Sequence, residues 1–215
     1  MILRRAARLP LLPTVIVALA VGAMIALGLW QLRRAEWKEA LLVLYTQNSR
    51  RPAVTFPLVG DESYLFRRSS LMCLEASGWT IESGINRAGQ SGWRHLARCR
   101  TGIEGPGALV DLGWSKGFDV KPAWGGGRIT GSIASKPDHR SLIASFTGEK
   151  AEPGLMLIAD QAAPGLEPSG RPSVADIPNN HRAYAVQWFI FAALAVVIYG
   201  IALRRRGNKR TVRAE

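Results

Sequence analysis

The spacing of apolar and polar positions divides the chain into three parts. Leu9 to Leu32 is a run of 24 residues without a charge, and Ala183 to Leu203 is a second run of 21. As helices rising ~1.5 Å per residue they extend about 36 Å and about 31 Å, enough to cross a hydrocarbon core of about 30 Å. Trp30 ends the first run, while Tyr184, Trp188 and Tyr199 lie near the ends of the second, where membrane helices carry their aromatic belts. A basic stretch precedes the first run, as in a secretory signal. The run is long for a signal's apolar segment and no clear cleavage site follows it, so it is predicted to remain as a span.

Between the runs the period changes. Trp37, Leu41, Leu44 and Tyr45 keep helical spacing, which predicts one helix leaving the bilayer and ending near Ser49, ahead of Pro52. Beyond it the chain reads as short strands punctuated by Gly and Pro: Leu65–Leu74, Trp79–Ile85, Trp93–Arg100, Ala108–Trp114, Arg128–Ile133 and Leu155–Asp160. In Trp93–Arg100, Leu96, Arg98 and Arg100 alternate with Trp93, His95, Ala97 and Cys99. Gly125–Gly127 and Gly165–Pro178 read as loops. The predicted fold class is a membrane protein in which N- and C-terminal transmembrane α-helices flank a β-rich α+β extracytoplasmic domain, a small antiparallel sheet or open barrel. The predicted segments are a 1–8 cytoplasmic tail, a 9–32 span, a 33–182 domain, a 183–203 span and a 204–215 basic tail.

Charge fixes the orientation. The chain carries 28 Lys and Arg against 16 Asp and Glu, a net of +12. The two tails hold nine basic residues and one acid, so eight of those twelve charges flank the apolar runs. That is the footprint of membrane flanks rather than of nucleic-acid binding, and it assigns both termini to the cytoplasm. Cys73 and Cys99 are 26 residues apart. An oxidising compartment permits a disulfide between them, and two unrelated thiols fit the sequence as well.

Catalytic signatures are missing from the sequence. His95, His139 and His181 form no closely spaced metal motif, and there is no Walker loop, nucleophile elbow or dinucleotide fingerprint. The chain is therefore read as a non-enzyme. Chemistry-bearing residues gather instead at the outer membrane boundary. Trp30, Arg33, Arg34 and Trp37 share helical spacing, and so do His181, Tyr184 and Trp188, behind a Pro178-Asn179-Asn180 entry in which either Asn can cap the helix. If the two helices pair, an imidazole, two guanidiniums and several rings converge. A haem suits such a place, with iron on His and propionates on Arg. The plainer reading is that the arginines snorkel and the aromatics anchor.

Gly28-Leu29-Trp30-Gln31, Arg33-Arg34 and Trp37-Lys38, with Asn179-Asn180-His181, Tyr184 and Trp188, resemble the two signatures of the surfeit-locus (Surf/Shy) family of cytochrome c oxidase assembly proteins. Val110-Asp111-Leu112-Gly113-Trp114 resembles that family's Val-Asn-Arg-Gly-Trp stretch, departing at Asp111 and Leu112. The resemblance implies an oxidase assembly factor in the bacterial inner membrane, its domain in the periplasm. It further implies binding of haem a through His181 as the metal ligand, with transfer toward oxidase subunit I. Haem a synthase is a second expected partner. Trp30, Arg33, Arg34, Trp37, Tyr184 and Trp188 complete the expected cofactor contacts on the facing argument. The alternative function is a tethered scaffold that steadies assembly intermediates without haem.

Overall fold

The computed structural model describes residues 10–103, 105, 107–120, 122–138 and 154–212. The predicted 1–8 tail, His139 and residues 213–215 lie outside them. The chain divides into two compact units, one of residues 1–40 with 178–215 and one of residues 41–177.

Helix α1 runs unbroken over Leu11–Arg50 and helix α2 over His181–Val212. Pro13 falls in the first turn of α1, where a missing N–H leaves no bond unmade. The first unit is an antiparallel helix pair. Half-buried or buried positions recur along α1 at Val21, Met24, Gly28, Gln31 and Ala35, and along α2 at His181, Ala185, Trp188, Ala192, Ala195 and Tyr199. Alternating steps of three and four give the 3.5-residue seam of a left-handed coiled coil. Small residues let the backbones approach, as membrane helices favour: Ala35, Ala185 and Ala192 are buried, and a Cβ on Gly28 would strike the Phe189 ring at 2.6 Å. Outside the seam, Ile16, Leu19, Ile25, Ile190, Leu194 and Ile198 are exposed. Both helices are long and apolar enough to cross a membrane, and large apolar side chains all round suit lipid rather than water.

The second unit is a seven-stranded mixed sheet. Its strands are β1 (Val54–Thr55), β2 (Arg68–Cys73), β3 (Glu75–Ile85), β4 (Ser91–Arg100), β5 (Ala108–Ser115), β6 (Gly127–Ser135) and β7 (Leu155–Ala159). Each of the six predicted strands overlaps an observed one, and only the two-residue β1 has no counterpart in the prediction. Gly127, expected within a loop, opens β6. The order across the sheet is β1-β2-β6-β7-β5-β4-β3. The β1–β2 and β5–β7 pairs are parallel and the others antiparallel. The sheet is open, not a closed barrel.

One face of the sheet holds the core. Phe56, Leu71, Val110, Leu112, Ile129, Ile133 and Leu157 pack there with Tyr45 from the last turns of α1, and the Tyr45 and Phe66 rings lie 5.1 Å apart. Asn48, fully buried, fixes that end of α1: its Nδ2 donates to the carbonyls of Ser63 (2.6 Å) and Leu65 (3.0 Å). At one corner the chain passes from β2 to β3 through Leu74 alone. This brings the end of β2 against the end of β4, with Leu74 N donating to Arg100 O at 2.8 Å. There Cys73 and Cys99, both buried in the core, form a disulfide. The bridge therefore joins strands separated in the sheet by β6, β7 and β5.

Candidate functional site

His181 opens α2 at the head of the helix pair. Asn180 precedes it, and its carbonyl accepts the first helical bond, from Tyr184 N at 3.1 Å. The imidazole is half-buried on the seam. Its Nδ1 lies 2.7 Å from Oε1 of Gln31 on α1. An amide oxygen only accepts, so the proton of this bond sits on Nδ1, and in the neutral imidazole the lone pair is then on Nε2. Gln31 is half-buried. The sequence placed it inside a signature but gave it no role. The signal was there in principle, since Gln31 is a polar residue one helical turn from Gly28 and Ala35 on what becomes the seam.

The other sequence-derived residues divide by facing. At about 100° per residue, Arg34, Trp30 and Trp37 lie about 60°, about 100° and about 120° round one flank of α1 from Gln31, and Arg33 follows at about 160°, on the side away from the seam. Tyr184 takes the corresponding flank of α2, and Trp188 stands on the seam itself. Antiparallel pairing sets these two flanks together. The opposite flank is closed by an ion pair, Arg182 to Glu39 at 2.8 Å. Trp30 (56%), Trp37 (48%) and Tyr184 (52%) are exposed, and the Arg34 guanidinium stacks 4.1 Å above the Trp37 ring. The Trp188 and Phe191 rings meet edge to face at 6.2 Å. Six of the seven residues thus share the seam and one flank. Among the described residues, no hydrogen bond or ion pair joins His181 to either arginine.

The second unit has its own buried polar groups. His95, 1% exposed, shares a 2.7 Å hydrogen bond between Nε2 and Ser115 Oγ. The Ser115 hydroxyl donates to the Gly117 carbonyl at 2.6 Å, so Nε2–H is the donor to Ser115. This is the reverse of a base drawing a proton from a serine nucleophile. Burial holds the imidazole below its ordinary pKa. In the Val110–Trp114 stretch Asp111 is fully buried. Its Oδ1 accepts from Ser169 Oγ (2.7 Å) and Gly113 N (3.0 Å), and Arg94 Nη1 lies 3.4 Å from Oδ2. Burial pushes its carboxyl up, while Ser169, Arg94 and Gly113 pull it back down. Gly113 takes φ 139°, and a Cβ there would meet Glu167 O at 2.8 Å. The stretch thus anchors the 165–169 loop through Trp114 N to Glu167 O (2.6 Å) and the Asp111–Ser169 bond. The Asp160 carboxylate gathers Arg68 and Arg171, and the hydrogen bond from Arg68 holds it below the usual range. Among the described residues no group of three or more His, Cys, Asp or Glu is placed to hold a metal ion.

The model of the SURF1 family matches residues 18–193, which takes in most of α1, the whole sheet and the first turns of α2. Comparison with individual curated proteins gives no match.

Proposed function

The chain belongs to the SURF1 family, the Surf1/Shy1 family of cytochrome c oxidase assembly proteins, and from that premise we propose that it carries haem a, held transiently through His181 and passed toward oxidase subunit I. One observation supports the reading above the others: His181 stands on the helix seam with Nδ1 engaged by Gln31 and a lone pair left on Nε2. That is the donor a haem iron takes. Arg34 would pair with the propionates. Trp30, Trp37, Tyr184 and Trp188 would lie against the ring and its apolar tail. Arg33, away from the seam, is left to the lipid headgroups. Bound haem supplies the iron and its redox chemistry. The chain's own part is to bind, orient and release.

The same proposal sets both termini in the cytoplasm and the sheet domain in the periplasm of a bacterial inner membrane. The Cys73–Cys99 disulfide supports that side, since such bridges persist in oxidising compartments. A reporter active only outside the cytoplasm should work when fused near residue 120 and fail at Glu215, and the converse pattern would reverse the orientation.

The deciding experiment is the Soret and reduced-minus-oxidised spectrum of the full chain purified in detergent from cells making haem a. Wild type is expected to carry haem a and His181→Ala to lack it. Equal haem a in both would remove His181 as the ligand. A His181→Ala chain that restores full oxidase content would favour the scaffold role.

A further inference from the structure

We infer that Gln31 is the positioning residue for the His181 ligand, selecting the imidazole tautomer that offers Nε2 to iron; this rests on the haem-carrier reading above. An isolated neutral imidazole in water favours the tautomer with the proton on Nε2, which would blunt the nitrogen needed for ligation. The Gln31 Oε1···Nδ1 bond of 2.7 Å reverses that preference. A ligating His is generally oriented in this way by a carbonyl or carboxylate on its other nitrogen. Here the partner comes from the opposite helix, 150 residues away in sequence. The donor nitrogen is therefore set only when α1 and α2 are paired.

The arrangement also sets the strength of the hold. An amide carbonyl is neutral, so it fixes the ring and donates little electron density through it. A carboxylate in the same place would pull harder on the Nδ1 proton and make Nε2 a stronger donor to ferric iron. Gln31 is thus the choice for a ligand that must release its cargo. No other hydrogen bond of the described residues reaches the His181 ring, so the effect is assignable to one side chain.

Two readouts test the inference. The first needs no haem. Nitrogen-15 NMR of the apo full chain in detergent, labelled at histidine, is expected to show His181 with Nδ1 protonated in wild type and with Nε2 protonated in Gln31→Leu. The second is titration with haem a in the same detergent. Gln31→Leu, apolar in an apolar helix, is expected to weaken binding about 10- to 100-fold, the usual cost of losing such an orienting partner. Gln31→Glu is expected to restore affinity, slow release and lower the midpoint potential of the bound haem. Nε2 protonation in wild type, or an unchanged tautomer in Gln31→Leu, overturns the inference. So do equal haem affinities and potentials across the three proteins. If instead wild type and His181→Ala bind haem a equally, the assignment of His181 as the ligand fails by itself, and the NMR result still decides what Gln31 does to the ring.

Discussion

Removing the Cys73–Cys99 bridge is expected to cost the sheet domain about 3.5 kcal/mol, mainly through the unfolded chain. The bond closes a loop with a sequence separation of 26. In the chain-entropy treatment a loop of that length loses on the order of 12 cal/mol/K when closed, hence the figure at 25 °C. Both sulfurs are buried in the core beside Leu71 and Ala97. Cys73→Ala/Cys99→Ala therefore leaves an apolar site apolar, without the unpaired hydroxyl that serine would bury. For a domain of this size the cost corresponds to a fall in Tm of roughly 10–15 °C. The assay is urea and thermal unfolding of the full chain in detergent, followed by the sheet's circular dichroism, with non-reducing mass spectrometry to count free thiols. Because the freed chain expands when unfolded, the urea m-value should rise as stability falls. Midpoints within about 0.5 kcal/mol of wild type would refute the estimate, and an unchanged m-value would refute the unfolded-state origin assigned to it.

Three further outcomes follow from single side chains. Burial holds the His95 imidazole below its ordinary pKa, so the unfolded chain binds a proton that the folded one refuses; stability is full above about pH 6.5 and falls as pH drops through that value. Urea midpoints at pH 7.5 and 5.5 should converge in His95→Gln, which keeps a donor for Ser115, and an undiminished pH slope would count against it. Asn48→Ala leaves the Ser63 and Leu65 carbonyls without their donor and should cost about 2–6 kcal/mol at roughly 1–3 for each acceptor, toward the lower end because the Ser63 bond is only part-buried; a loss under 1 kcal/mol on urea unfolding would show that water replaces it. Ala185→Leu overfills a seam position that is 0% exposed, at a cost of about 1–3 kcal/mol, and should lengthen and broaden the distance distribution between spin labels at Leu29 and Val186, whereas an unchanged distribution would mean that the seam tolerates the bulk.

The helices and strands were legible because their signals are local. A charge-free run is sufficient for a span, and period-two alternation places Ala97 and Cys99 in the core with Leu96 in a separate cluster on the other side. Strand order was not legible. The β2–β6 and β5–β7 pairings join segments dozens of residues apart, and several orders would bury the same side chains. The register shift between Arg94 and Leu96 is invisible to a period-two count, which fixed the side of Ala97 but gave no hydrogen-bond partner for His95. The disulfide could not be read from a separation of 26, because the corner at Leu74 that brings the two cysteines together is a tertiary feature. At the helix pair, spacing groups Trp30, Arg34 and Trp37 but does not tell which face of α1 meets α2. That face belongs to Gln31, so Arg33, grouped with its neighbours by spacing, falls on the far side.

Holding a cofactor loosely calls for a different site from holding it permanently. A resident haem is enclosed, and its release is slow because apolar walls and ligand must all be abandoned together. A carrier has to keep the off-rate high, since among related complexes affinity is set mainly there. On the haem-carrier proposal, the head of this helix pair is a site of the second kind. Among the described residues one imidazole is offered there, not two. Its orienting partner is a neutral amide, and the aromatic side chains beside it, Trp30, Trp37 and Tyr184, are about half exposed on an open flank. The seam below is built the other way, from buried alanines and Gly28 against Phe189, so the two helices keep one register while the flank stays free. A rigid seam under an open flank lets the imidazole hold its direction without a pocket closing over the cargo. On the haem-carrier proposal, a receiving subunit would approach the flank directly and draw the haem away by supplying further ligands.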